Sequence, residues 1–426
     1  MIREELAFIG TCDVCGQVRG KGVPAAELAD RPHRGVGWTP TNVMINAFGI
    51  IGQTPFGALG DVMMVPDHSA EFRIDYEDGG PSEHLVLADI READGSPWSC
   101  CPREFLRRAL ARLGKLGGLQ LLAGFEQEFV YTGVEAQGGN RYWIDAFRRQ
   151  GSFGETFIAA LGQAGLEPET FLAEFGVRQY EVTCAPALGL AAADQAVFIR
   201  ELARATARRF GHRATFSPIL DADGVGNGVH IHVSLRDRDG RPVTFDPERP
   251  YRLSAVAEQF TAGILHHMPA LCAVTAPSTI SYIRMTPNRW APTIANVGVQ
   301  DRAASLRICP TFAGPGSDHA RQFNVEYRPA DAAASPYLAL GAVVQAGCEG
   351  IENSMRLPAP EEAERSAKPL PRSLPQALEL LEATAEAKHW FGETLLDAYL
   401  KHKQSEIAVV EKLSPAEQCA RYAELY

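Results

Sequence analysis

The sequence predicts an α+β protein in two parts, a smaller strand-rich one over residues 1–97 and a larger one over 98–426. Three observations lead there. The chain has 426 residues, more than one ordinary core accommodates. Residues before Trp98 read as strands and turns, with Gly, Thr, Asn and Pro crowding 38–66. After it, strand patterns alternate with helical ones.

Taken in order, LAFIGTCDVCGQVRGKGVP reads as a hairpin with Cys15-Gly16-Gln17 at or near its turn. Pro102 suits the first position of a helix, and Phe105, Leu106, Ala109, Leu110 and Leu113 recur at helical spacing. GLQLLAGFEQEFVYT and GVHIHVSLRD read as strands. AADQAVFIRELARATARRFG reads as an amphipathic helix stopped at Gly211. PYLALGAVVQAGCEGIENSM reads as an apolar helix. Residues 357–375 read as an exposed loop, and the tail from Leu374 as helical. No repeat of 20–50 residues is visible.

Composition narrows the function. Hydrophobic residues make up 46% and charged residues 22%, as in a globular enzyme. The net charge of -11 disfavours nucleic acid as a partner. No apolar run is long enough for a membrane span, and the N-terminus does not read as a signal peptide. The nine cysteines are odd in number. They read as reduced thiols, which points to the cytoplasm. Cys12 and Cys15 form a CxxC without the second pair that a zinc site needs.

Four segments place polar groups two residues apart: Glu126-Gln127-Glu128, Gln179-Tyr180-Glu181, His230-Ile231-His232 and Glu326-Tyr327-Arg328. On a strand, residues i and i+2 share a face. Any one pair reads equally well as the solvated face of a half-exposed strand. Together, Glu126, Glu128, Glu181, Glu326 and His230 on converging faces would repel one another without cations. Mg²⁺ or Mn²⁺ suits carboxylates with one imidazole, and two such ions can clamp a phosphoryl group. Arg284, Arg302, Arg307, Arg321 and Arg328, interleaved with apolar residues, read as strand-borne cations that grip carboxylate or phosphate. Metals, acids and arginines in one cleft point to phosphoryl transfer from a nucleotide to an acid. Gly224-Val225-Gly226-Asn227-Gly228 suits either close backbone approach to a ligand or a plain entry to the next strand.

These segments resemble the glutamine synthetase superfamily. GFEQEF is similar to its GxExEF strand, and EFGVRQYE to its E-x-G-x-x-Q-x-E segment. ATFSPILDADGVGNGVHIHVSL resembles its ATF…GxGxHxHxSL block, with 16 residues from Ala214 to His230. APSTISYIRMTPNRWAP resembles the substrate-arginine flap, VQDRAASLRIC the NRxAxxRI stretch, and NVEYRPADAAASPYLAL the IExRxxDxxANPYLAL block. DVCGQVRGKGVP resembles the opening of its β-grasp domain.

The resemblance implies an N-terminal β-grasp-like domain before an α+β catalytic domain built on an antiparallel sheet with helices. It implies ATP as co-substrate and two or more Mg²⁺ or Mn²⁺ ions per site. Glu128, Glu174 and Glu181 would hold one ion, and Glu126, His230 and Glu326 the second. Gly226, His230, Arg284 and Arg328 would bind glutamate. Arg302 would stabilise the transferring phosphoryl group, with Arg284 and Arg328 as its catalytic partners. Arg307 and Arg321 would contact ATP phosphates, and His232 and Ser234 would line the nucleotide pocket. A homo-oligomeric ring, commonly a dodecamer of two stacked hexamers, is implied as well.

Two departures set the expected reaction. The family places a glutamate six residues after the arginine numbered 284 here, where it closes the active site and helps deprotonate bound ammonium. This chain has Trp290. The family's DGSS stretch is missing between Trp38 and Asp67, where FGIIGQTPFGALGD stands instead. Losing two anions removes the electrostatic grip on ammonium, and an indole favours an organic amine. The smaller departures are Ile219, Asn296-Val297-Gly298 and Ser335-Pro336-Tyr337-Leu338. The expected activity joins an organic amine to the γ-carboxylate of glutamate. Ammonium-using glutamine synthesis, a ligase for another acid, and a silent member of the fold stay open as alternatives.

Overall fold

The computed structural model describes residues 2–57, 60–136 and 141–426, with Pro32 and His33 as backbone only. Strands β1 (Leu6–Cys12) and β2 (Val18–Pro24) form the expected antiparallel hairpin. Its turn is closed by the Asp13 carboxylate, which accepts from the amides of Cys15 (3.0 Å) and Gln17 (2.9 Å). Gly16 takes φ +73°, and a Cβ there would lie 3.0 Å from the Ala334 carbonyl, so the turn demands glycine. β3 (Val36–Trp38), β4 (Val62–Ile74) and β5 (Glu83–Arg91) complete a sheet of order β2-β1-β5-β4-β3. β1 and β5 run parallel at its centre, as a β-grasp-like arrangement requires.

Helix α1 (Pro102–Lys115) starts at Pro102, with Glu104 in its first turn and Arg112 and Lys115 in its last. Phe105, Leu106, Ala109 and Leu113 are buried, whereas Leu110 is only half-buried at the stripe's edge. β6 (Gln120–Tyr131) follows, then α2 (Ile144–Arg149), α3 (Ser152–Gln163), β7 (Pro168–Ala173), β8 (Gln179–Cys184) and β9 (Ala187–Leu188). α4 (Leu190–Arg209) ends before Gly211, which follows in the left-handed region at φ +73°. β10 (Ala214–Thr215), β11 (Val229–Arg236), α5 (Ala255–Thr275) and α6 (Ser281–Arg284) come next.

β12 (Ile294–Ala295), β13 (Val297–Val299), β14 (Leu306–Ile308), α7 (His319–Gln322), β15 (Val325–Tyr327) and α8 (Pro336–Glu352) follow. β16 (Lys368–Pro369) interrupts the loop expected at 357–375 and pairs with β12. The tail is helical as expected: α9 (Leu374–Ala383), α10 (Ala385–Phe391), α11 (Glu393–Val410) and α12 (Pro415–Ala423).

The large sheet runs β13-β14-β15-β11-β6-β8-β7, with β9 and β10 also pairing with β6. It is antiparallel except for β13 on β14. Phe125, Gln127 and Phe129 of β6 and Val229, Ile231 and Val233 of β11 are buried on one face of the sheet. Helix α8 is buried from Pro336 to Gly350 and packs against α1, α4 and α5. The alternate residues of β6 and β11 occupy the opposite face, and there the functional side chains gather.

The fully buried Arg103 guanidinium binds three carboxylates. It reaches Asp89 of β5 at 2.8 Å, Asp67 of β4 at 3.0 Å and Asp194 of α4 at 2.9 Å. One side chain on α1 thereby ties the N-terminal sheet to the helical layer. Among the described residues, no helix is long and apolar enough to cross a membrane.

Candidate active site

The antiparallel register assembles the cluster. Glu126 stands directly across from His230, and Glu128 from Glu181. Glu326 stands across from His232 on one side and Arg307 on the other. Directly opposed residues share a face, so period-two alternation puts all of these groups on one side. The interleaved Gln127 points the other way, into the core, and donates to the Ala196 carbonyl at 2.8 Å.

The contacts are short. His230 Nδ1 lies 3.0 Å from Glu126 Oε2 and 3.3 Å from Glu326 Oε1. His232 Nε2 lies 3.1 Å from Glu126 Oε1. Glu326 is wholly buried; Arg307 donates to it at 2.9 Å, and Arg328 donates to its other oxygen. Glu128 Oε2 accepts from the Gly228 amide (2.8 Å) and from Gln179 Nε2 (3.0 Å). Glu174 follows β7, and its Oε2 accepts from Tyr142 Oη (3.0 Å) and from the Phe175 amide (2.8 Å). Gly226 lets Arg284 lie against the backbone, since a Cβ would meet Arg284 Cγ at 2.4 Å.

Most of these residues line a cleft of about 600 Å³, though His232 and the buried Glu326 are not on its lining. Glu126, Glu128, Glu174, Glu181 and His230 lie on it, facing Arg284, Arg302, Arg307, Arg328 and Trp290. Burial and the charges of Glu126, Glu128 and Glu174 push the Glu181 carboxyl up to about 9. Burial likewise raises Glu128. Burial opposes ionisation of Glu126, but hydrogen bonds from His230 and His232 outweigh it and hold that carboxyl low. Burial also opposes a charge on His232, yet Cys309 and Glu126 hold its ring well above the usual imidazole range. Acids forced away from their ordinary ionisation are an arrangement that bound cations relieve. Carboxylate oxygens with imidazole nitrogen form a donor set for a hard divalent ion.

The structure sharpens several expectations. One carboxylate oxygen each of Glu126 and Glu326 and one ring nitrogen of His232 lie within 4.8 Å of one another. His232, expected to face the nucleotide, therefore also stands among the candidate metal ligands beside His230. Its second nitrogen is 2.8 Å from Asn324 Oδ1, and Cys309 Sγ lies 3.8 Å from the same atom. Ser234 follows on the same face of β11 but is not among the residues lining the cleft. The expectation that strands carry the arginines needs correcting. Arg284 ends α6, Arg302 sits on a loop and Arg321 on α7, so only Arg307 lies on a strand, with Arg328 one residue beyond β15. Arg321 is exposed and does not line the cleft, because the α7 turn carries it away from the sheet. The Gly-rich stretch does more than enter a strand, since its amides and carbonyls bind Glu128 and Gln179. Ala58 and Leu59, within the stretch that replaces DGSS, lie outside the described residues.

Trp290 forms part of the cleft wall. It is 66% exposed and sits at φ +57°, two residues after Asn288 at +67°. Its ring packs on Phe175 at 5.3 Å. Phe175, Arg289 and Tyr142 line the cleft too; the first two lie inside EFGVRQYE and APSTISYIRMTPNRWAP without a role expected of them, and Tyr142 lies outside every such segment. All nine cysteines are buried and unpaired in disulfides.

A sheet of paired carboxylates and imidazoles facing arginines defines a ligase-type cleft for phosphoryl and acyl chemistry. Comparison with known proteins makes this specific. The family description "Glutamine synthetase, catalytic domain" matches residues 99–422, and "Glutamine synthetase N-terminal domain" matches residues 3–98. The chain belongs to the glutamine synthetase family, as a carbon–nitrogen ligase; enzymes of this family use ATP and divalent metal ions. It is 32% identical to the gamma-glutamylpolyamine synthetase GlnA3 of Streptomyces coelicolor, covering 98% of this chain and 92% of that protein. It resembles the crystal structure of a novel glutamine synthase homolog at 40% identity and TM-score 0.94, covering 100% of this chain and 99% of the other. It also resembles a GmaS/ADP complex at 26% identity and TM-score 0.81, covering 96% and 95%.

Proposed function

We propose that the protein is an ATP-dependent ligase joining an organic amine to the γ-carboxylate of glutamate. The observation that carries this reading is Trp290, which forms an apolar wall with Phe175 beside the carboxylate–imidazole cluster. An indole holds an amine's hydrocarbon by burial, and its face attracts bare ammonium more weakly than a carboxylate would. Similarity to a gamma-glutamylpolyamine synthetase supports the reading, and similarity to an ADP complex supports ATP as the phosphoryl donor.

In this reading a γ-carboxylate oxygen of glutamate attacks the terminal phosphorus of ATP, and the bond to the bridging oxygen breaks to release ADP. The amine nitrogen then attacks the acyl carbon, phosphate leaves with the electron pair, and the nitrogen loses a proton. Arg284, Arg328, Gly226 and His230 hold the glutamate. Arg302 faces the transferring phosphoryl group and Arg307 the nucleotide phosphates, where guanidinium charge offsets what builds up. Glu128, Glu174 and Glu181 would hold one divalent cation, and Glu126, His230 and Glu326, with His232 adjacent, a second. Bound there, Mg²⁺ or Mn²⁺ supplies Lewis-acid charge neutralisation between nucleotide and acid. We further propose a cytoplasmic homo-oligomeric ring; nine unpaired thiols support a reducing compartment.

The test is ATP-dependent phosphate release with glutamate fixed and the amine varied over ammonium, methylamine, ethanolamine, isopropylamine, polyamines and aniline. At least one organic amine is expected to exceed ammonium in kcat/KM by about tenfold or more, a difference of ~1.4 kcal/mol. Efficient use of ammonium with no preference for any amine overturns the reading.

A further inference from the structure

The flap that carries Trp290 also carries Arg289, and both line the cleft. Arg289 Nη2 donates to the Ala222 carbonyl at 2.5 Å, while its Nη1 is buried with no protein partner. A second guanidinium stands close by. Arg141 lies 3.7 Å over the ring of Phe175, the ring on which Trp290 packs. Among the described residues, neither Arg289 nor Arg141 forms an ion pair. The acids of the same cleft are engaged by other groups: Glu174 Oε2 accepts from Tyr142 and the Phe175 amide, and Glu128 from Gly228 and Gln179. The wall is thus apolar in its middle, with Arg289 on the cleft and Arg141 behind Phe175, neither held in an ion pair among the described residues.

We propose that Arg289, backed by Arg141, is a specificity-determining residue that makes the cleft select acceptor amines bearing no second positive charge. The preferred class is the apolar monoamine, including one that ends in an acid, over the polyamine. This rests on the amine-ligase reading and deepens it. Only one nitrogen reacts, and it must be unprotonated to attack. A second ammonium further along the tail would be driven against Arg289. Two unit charges about 6 Å apart, at an effective dielectric of about 40, change a binding constant by roughly tenfold. A terminal carboxylate at the same place would instead be attracted by the Arg289 charge.

Three acceptors of matched length isolate the charge: butylamine, 1,4-diaminobutane and 4-aminobutanoate. With glutamate and ATP saturating, kcat/KM for diaminobutane is expected about tenfold below butylamine, with aminobutanoate at or above butylamine. Raising ionic strength from about 0.02 M to about 0.3 M should shrink the gap, since screening weakens charge contacts and spares apolar ones. Arg289→Glu should close or invert the order, and Arg289→Gln should reduce it. An unchanged melting temperature and an unchanged stabilisation by Mg²⁺ establish that both variants fold. Wild-type preference for diaminobutane, or an Arg289→Glu effect equal on all three acceptors, overturns the proposal. Turnover with ammonium and with no organic amine would instead sink the amine-ligase reading. The charge order is then read from inhibition of that turnover, where butylamine must inhibit more strongly than diaminobutane.

Discussion

Replacing Trp290 with alanine should cost an alkyl acceptor amine about 30-fold in kcat/KM. The indole is 66% exposed in the absence of substrate. For a tryptophan of ~250 Å² that leaves ~165 Å² exposed. A branched amine covering about half of it removes ~80 Å² from water, worth ~2 kcal/mol at ~25 cal/mol per Å², or about 30-fold. The assay is phosphate release with isopropylamine and with ammonium, run on wild type and Trp290→Ala. Ammonium has no hydrocarbon to bury, so its kcat/KM should change by less than about threefold. Because the ring is mostly outside the core, the melting temperature should hold. Equal losses for both acceptors would show that Trp290 merely shapes the flap, and no loss for isopropylamine would show that the wall does not touch the amine. Either result refutes the reasoning.

Three further outcomes are expected. Glu128→Gln should raise the melting temperature of metal-free protein and abolish most of the increment that Mg²⁺ or Mn²⁺ gives wild type, since it removes a carboxylate whose ionisation burial opposes more than its neighbours favour it; thermal shift with and without chelator checks this. Burial and the Lys403 charge hold His402 neutral well below the usual imidazole range, its Nε2 lying 3.3 Å from the Ile45 carbonyl. The unfolded chain binds this proton below about pH 6.5 and the folded one does not, so the contribution is complete above that pH. It is lost as pH falls, by up to ~1.4 kcal/mol per unit, and wild type minus His402→Gln stability across pH 7 to 5 should show that slope. Arg103→Met should cost ~3–5 kcal/mol by leaving Asp194 and Asp67 without their cation, Asp89 keeping Arg107, read as a large fall in melting temperature with tryptophan fluorescence as a second probe.

Much of this was legible because strand alternation is a local signal. Glu126, Glu128, His230 and Glu326 alternate with apolar neighbours, so their shared face follows from the pattern itself. α1 was legible for the same reason at helical period, and α8 by the length of its apolar run, which the structure buries from Pro336 to Gly350. The arginines were harder. Arg284 and Arg321 lie in four-residue helices too short to impose a period, and a run of mixed polar and apolar residues does not distinguish a turn from a strand. The second role of His232 was half visible, as the i+2 partner of His230, but its approach to Glu126 depends on ring rotation. Phe175 and Arg141 gave no sign of their role, because their meeting with Trp290 joins segments more than a hundred residues apart, whereas Arg289 is the residue before Trp290 and its flap segment alone does not show which way its guanidinium turns. The parallel pairing of β13 on β14 was equally hidden, since a three-residue strand states no direction.

The pairing of Glu126 with His230 and of Glu128 with Glu181 fixes where this protein tolerates change. Inserting or deleting one residue inside β6 or β11 would rotate every later side chain through half a turn. Imidazoles and acids would plunge among the helices, and phenylalanines would surface in the cleft. Length variation is therefore confined to connections such as 237–242 or 357–367, and the central strands act as a fixed-pitch ruler against which every ligand-facing group is measured.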